Sequence, residues 1–264
     1  MNGIGGRLAL SATAAALLLF AAGCARLGSE QAGPLMTKTD AGTTTAPAPA
    51  AEAAARKNAL VRFVHAVPGL ASVDLFAGDG KAFDAVAYKS VTAYRELPGA
   101  SGLYRLRLAG QETGEPLAEK SEGFGTGRHH TVVAFPAAGG LFSKADGVEL
   151  RFLADEFEPP AAGRARVRVV NVAADLGDVD VYATGRAEPL HKAAKAGAAT
   201  SYVEAEPSGA GLEVRRAGEN VATLAVPALK MEAGRLYTVF LVGGTKGASR
   251  LEAFVVEDRL GAAK

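Results

Sequence analysis

Apolar and polar positions alternate from Leu60 to Val67. Val61, Phe63 and His65 fall on one side, Arg62 and Val64 on the other, which is the period-two pattern of a strand. Pro68-Gly69 interrupts it. Val73-Asp74-Leu75-Phe76 alternates again before the turn Ala77-Gly78-Asp79-Gly80. Ala85 to Tyr88 and Thr92 to Leu97 predict short strands, and Pro98 to Gly102 a turn. Leu103 to Leu108 puts Tyr104, Leu106 and Leu108 on one face and Leu103 with two arginines on the other. A weaker pattern follows at Leu117 to Phe124, then stronger ones at His130 to Phe135 and Val148 to Ala154. No segment sustains a helical period. Short strands at this spacing, with Gly and Pro turns between them, predict an all-β fold of antiparallel sandwiches, immunoglobulin-like or transthyretin-like.

The pattern then recurs. Val61-Arg62-Phe63-Val64-His65 returns as Val167-Arg168-Val169-Val170-Asn171, and Val73-Asp74-Leu75-Phe76 as Val179-Asp180-Val181-Tyr182, both displaced by 106 residues. Tyr202 stands for Tyr94, and Gly234-Arg235-Leu236-Tyr237-Thr238-Val239 for Gly127-Arg128-His129-His130-Thr131-Val132. Two domains are therefore expected, at residues 59–157 and 165–260, with the Pro-containing segment 158–164 as a short stiff spacer. A unit of roughly 100 residues is long enough to close its own core.

The 58 residues ahead of the first expected domain differ in kind. Arg7, the apolar run Leu8 to Phe20 and the small residues Ala21-Ala22-Gly23 form an export-signal pattern, expected to occupy residues 1–23. Residues 24–58 carry Thr43-Thr44-Thr45-Ala46-Pro47-Ala48-Pro49-Ala50 without an apolar period, as expected of a flexible tether. The one cysteine, Cys24, excludes an intramolecular disulfide, so stability has to come from sheet pairing and apolar burial. With 29 basic and 28 acidic residues, the chain lacks the basic excess of a nucleic-acid binder.

Little in the remainder suggests catalysis. There is no Gly-x-Ser-x-Gly elbow. Gly123-Phe124-Gly125-Thr126-Gly127 lacks the Lys and the following helix of a phosphate loop. His129 and His130 are adjacent on an expected strand and point to opposite faces, so they cannot share a metal from regular geometry. His65, replaced by Asn171 in the second copy, is expected to hydrogen-bond nearby backbone; His191 is expected in a solvated loop. Asp155-Glu156 and Glu257-Asp258 offer a Ca²⁺ site at the junction as an alternative to solvated strand ends. Arg62 with Asp74, and Arg168 with Asp180, are expected to form one cross-strand ion pair in each repeat. No catalytic residue, cofactor or resident metal is expected.

Two resemblances add to this reading. Ala21-Ala22-Gly23-Cys24 resembles the bacterial lipobox, with Ala21 where Leu is usual. The resemblance implies cleavage before Cys24, a lipid on its sulfur, and attachment to the cell envelope at the outer membrane, facing the periplasm or the surface. Val61-Arg62-Phe63-Val64-His65-Ala66, Val73-Asp74-Leu75-Phe76, Leu97-Pro98-Gly99 and Gly234-Arg235-Leu236-Tyr237-Thr238-Val239 resemble the bacterial DUF4397 domain. That family implies exported β-sandwich modules, often in tandem, without an assigned activity. The expectation is a non-enzymatic envelope lipoprotein that binds an envelope protein or glycan and no nucleic acid. The alternative is a non-catalytic accessory subunit of exopolysaccharide modification or export, through a fainter similarity to the AlgF family.

Overall fold

The structure is a computed structural model, which describes residues 58–99, 101–137, 147–226, 229–245 and 250–259. The expected leader, Cys24 and the tether up to residue 57 lie outside the described residues, within which there is no helix. The first sandwich contains β1 (Asn58–His65), β2 (Ser72–Ala77), β3 (Gly80–Ala87), β4 (Arg95–Pro98), β5 (Gly102–Leu108), β6 (Ala118–Glu122), β7 (His129–Pro136) and β8 (Val148–Asp155). The second contains β9 (Ala165–Asn171), β10 (Val179–Ala183), β11 (Pro189–Ala194), β12 (Ala198–Ala199), β13 (Val203–Ala205), β14 (Leu212–Arg216), β15 (Ala222–Val226), β16 (Leu236–Val242) and β17 (Glu252–Asp258).

In the first sandwich the sheets run β4-β1-β7-β8 and β3-β2-β5-β6. In the second they run β12-β9-β16-β17, with β13 also on β9, and β11-β10-β14-β15. The two arrangements are the same, with β12 and β13 together standing for β4. An immunoglobulin sheet places its first two strands side by side. Here β1 and β2 lie in different sheets, which leaves the transthyretin-like alternative. The pairing is also not purely antiparallel: β1 pairs with β7, and β9 with β16, in parallel. The chain leaves β1, builds the opposite sheet, and returns beside β1 in the same direction, the kind of long crossover a parallel pair requires.

Each sandwich closes its own apolar layer. Val61, Phe63, Leu75, Leu106 and Val132 meet in the first; Val167, Val169, Val181, Val214 and Val239 in the second. A third layer has members from both. Val64, Val133, Phe135, Val170, Phe240 and Val242 pack together, so the outer faces of the β1-β7 and β9-β16 sheets cover one another. This is why β16 is buried at every position and β7 at all but its first: a strand covered on both faces loses the polar half of its alternation.

Turn details repeat as well. The Thr92 hydroxyl accepts from the Phe63 amide at 2.9 Å, and the Thr200 hydroxyl from the Val169 amide at 3.0 Å. Lys89 (φ 62°) and Gly197 (φ 69°) occupy the same left-handed position. Their amides donate to the carbonyls of His65 and Asn171, at 2.9 and 2.7 Å.

Candidate functional site

The charged residues flagged in the sequence are buried, but not in the expected pairs. Arg62 sits on the outer face of β1, beside Thr131 in the parallel register. Its Nε donates to Thr131 Oγ1 at 2.8 Å, and its Nη2 crosses to the second sandwich and donates to Asp258 Oδ1 at 2.6 Å. Arg168 does the converse. Its Nε donates to Thr238 Oγ1 at 2.9 Å, and its Nη2 pairs with Asp155 Oδ1 of the first sandwich.

Each aspartate is also held from its own side. Thr131 and Tyr94 donate to Asp155 Oδ2 at 2.6 and 2.8 Å; Thr238 and Tyr202 donate to Asp258 Oδ2 at 2.5 and 2.8 Å. The guanidinium groups lie over the rings of Tyr94 and Tyr202, at 5.0 and 4.8 Å from the centroids, within cation–π range. Contact of residue i with j, and of j's counterpart with i's, is the signature of an isologous dimer interface. Here one chain makes both halves.

The electrostatics follow from burial and pairing. Burial alone would raise the Asp155 carboxyl, but Arg168, Arg62 and the Thr131 hydrogen bond outweigh it and hold it below the ordinary range. Burial opposes the charge on Arg62 and Arg168, and the surrounding carboxylates reverse that and hold both cationic. Burial and then the Asp155 charge push the Tyr94 phenol far up, so it remains a donor. All four charged side chains are almost fully covered. Replacing such a pair by apolar residues is often neutral, whereas removing one partner is costly. The arrangement therefore fixes how the two faces register more than it adds net stability.

The expected Arg62–Asp74 and Arg168–Asp180 pairs are thus a correction. β1 hydrogen-bonds to β4 and β7, and β2 to β3 and β5, so the residues are on different sheets with the apolar layer between. Asp74 instead clamps its own sheet. Its Oδ1 accepts from the Ala85 amide at 2.7 Å, its Oδ2 from the Gly110 amide at 3.1 Å, and Lys81 lies at 3.0 Å. Burial would raise this carboxyl; the amide bonds and Lys81 prevail and lower it. Asp180 accepts from Ala193 and Gly218 at 2.7 and 3.3 Å. Ala85 (φ 46°) and Ala193 (φ 48°) are both left-handed, a strained conformation for alanine that the aspartate bond stabilises. Sequence reasoning saw these aspartates recur but assigned them the wrong donors.

The candidate Ca²⁺ carboxylates at the junction are likewise committed: Asp155 and Asp258 face guanidinium groups, which already supply the positive charge there. Among the described residues no group of three His, Cys, Asp or Glu side chains is arranged to hold a metal. His65 Nε2 lies 3.2 Å from the Leu70 carbonyl, and Asn171 Nδ2 donates to Gly177 at 2.8 Å. His191 is not in a solvated loop. It is buried on β11 with Nε2 3.2 Å from the Val167 carbonyl. The sequence concealed it because the register shifts at the left-handed Ala193, which breaks the strand's alternation. His130 packs on Phe124 and His129 on Tyr94, on opposite faces of β7.

Sequence reasoning also did not find a cleft of about 570 Å³ in the second sandwich. It lies between the β10–β11 turn and β13. Ala205 and Met231 form its buried floor, Leu190 and Ala183 its sides, and Arg164, Arg186 and Glu206 its rim. The volume is within the range of small-molecule sites.

Residues 59–182 match the model of the family DUF4397, described as a domain of unknown function. This chain carries a DUF4397 domain. The matched span covers the first sandwich from Ala59, the spacer, β9 and β10 as far as Tyr182, so it includes both arginines of the exchanged pairs and both clamping aspartates. No curated protein matches the chain.

Proposed function

We propose that this DUF4397 protein is a non-enzymatic binding module of the cell envelope, exported and lipid-anchored through Cys24, at the outer membrane by the lipobox resemblance. The observation that supports it most is where the titratable residues go. Asp74, Asp155, Asp180, Asp258, Arg62, Arg168, His65 and His191 are each held by structural bonds, and no convergent acid–base or nucleophile set is formed from them. What remains accessible is strand edges, loops and the cleft, the surfaces a module presents to a protein or glycan. Acyl chains on Cys24, at about 0.8 kcal/mol per buried CH₂, hold such a module on a membrane.

Metabolic labelling with an alkynyl fatty acid tests the anchor: the full chain takes up label, and Cys24→Ala does not. Unlabelled, freely soluble mature protein overturns it. Pull-down from detergent-solubilised envelopes tests the binding role. Co-recovery of an acyltransferase would assign the protein instead to exopolysaccharide modification.

A further inference from the structure

The two sandwiches share a scaffold but fill one end of it differently. In the first, Tyr104, Phe124 and Phe152 form a closed ring cluster, with centroids 5.1 to 5.6 Å apart. Strand register identifies the counterparts. Leu97 opposite Ala59 becomes Ala205 opposite Ala165; Tyr104 opposite Ala77 becomes Leu212 opposite Ala183; Phe152 opposite Val132 becomes Val255 opposite Val239. Phe124, three residues before Gly127, becomes Met231, three before Gly234, and those two glycine amides make the same bond to the start of the first strand, at Asn58 and Arg164.

These four changes remove bulk, and two of the changed positions, Ala205 and Met231, line the cleft, where Leu97 and Phe124 stand in the first sandwich; Leu190, in the place of Ala82, is the larger residue at its side. The first sandwich thereby serves as an internal template for what fits there: the ring of Phe124 beside the side chain of Leu97. Three further observations narrow the chemistry. Met231 offers a thioether on the floor, which makes favourable contacts with rings. Glu206 is matched by Arg186 and Arg164 and Glu204 by Arg166, so an anionic ligand would have to break an existing pair; Glu188 also lines the cleft. The mouth opens between β11 and β13, both at sheet edges, where backbone groups are free to extend a sheet.

We propose that this cleft binds an uncharged aromatic side chain presented by an extended polypeptide. The proposal deepens the binding-module reading and rests on it, yet fails separately, since anchoring and partner recovery through other surfaces do not require the cleft. The test titrates full-length protein carrying ¹³C-methyl methionine with N-acetyl-phenylalaninamide. Met231 is the one methionine within the sandwiches, and Met36, which stays after cleavage before Cys24, is the internal control. The Met231 methyl shifts saturably at millimolar amide; N-acetyl-alaninamide leaves it in place. Ala205→Leu, which restores the first sandwich's residue, abolishes the shift. Ala187→Trp, on the exposed turn at the mouth, abolishes it without touching the core. No shift with the phenylalanine amide, or an unchanged shift in both variants, overturns the site. Binding of p-cresol as tightly as the amide overturns the polypeptide part.

Discussion

The first sandwich packs one end with three rings; the second, on the same strand order, has leucine, methionine and valine there, and a cleft opens beside the methionine. Yet the faces that meet between the sandwiches have kept arginine, threonine, tyrosine and aspartate in both copies. What stayed is what the mutual face requires, because each copy supplies half of the other's charge balance. On that face the apolar residues differ only by trading size, Val133 and Phe135 against Phe240 and Val242; at the cleft end, away from it, loss of bulk in one copy leaves the other unaffected. The exchanged Arg–Asp pairs thus bind the duplicated units into one body, and the end of the second sandwich is where the copies became different objects.

The comparison can be broken most severely at the exchanged arginines. Arg62→Met leaves Asp258 buried without its cation, at a cost of about 3–5 kcal/mol. Arg168→Met is expected to cost the same within error, because its surroundings are the mirror of the first. Urea unfolding of both variants checks this; a large loss for one and none for the other would end the equivalence. Asp74→Ala and Asp180→Ala come next. Each strips two backbone amides of their acceptor and leaves the left-handed alanine unsupported, for about 1–3 kcal/mol in the same measurement. A smaller and opposite effect is expected where the copies use different residues for one conformation. Lys89→Gly, borrowing Gly197, relieves a left-handed non-glycine and stabilises by about 1 kcal/mol, since the exposed Lys89–Glu252 pair it removes is worth little.

The mildest prediction concerns pH. Burial pushes the imidazoles of His65, His130 and His191 below their ordinary value. The unfolded chain then binds more protons than the folded one as pH falls, so stability is complete above about pH 6.5 and declines below it. The lowered carboxyls of Asp74 and Asp155 add a second loss below about pH 4, because their stabilisation is present above the unfolded carboxylate value and disappears as pH falls through the folded one. His65→Asn, borrowing Asn171, should flatten part of the upper decline in melting temperature and leave the lower one unchanged.

Much of this was legible in the residues. Alternation located most strands, Gly and Pro the turns, and the 106-residue displacement the duplication. The parallel β1-β7 pair was not legible, since nothing local records which strand a returning chain will join. Nor were the partners of Arg62: Asp258 lies 196 positions away and becomes a neighbour only when two sheets meet face to face. There was nevertheless a signal. Thr131-Val132-Val133-Ala134-Phe135 and Thr238-Val239-Phe240-Leu241 are apolar on both faces apart from one threonine each, a run that fits a strand covered on both sides. The arginine, threonine and aspartate recurring on those outer faces were the residues such a covering would have to neutralise. The cleft was illegible for another reason: it is an absence of bulk, visible only once register shows which residues of the two copies correspond.

The most direct measurement is a double-mutant cycle across the two sandwiches. Arg62→Met, Asp258→Leu and the double variant are compared by equilibrium unfolding, with Arg62→Met and Asp74→Ala as the control cycle. The exchanged-pair account predicts a coupling of at least about 1 kcal/mol for Arg62 with Asp258 and near-additivity for Arg62 with Asp74. Additivity in the first cycle, or coupling in the second instead, would contradict it.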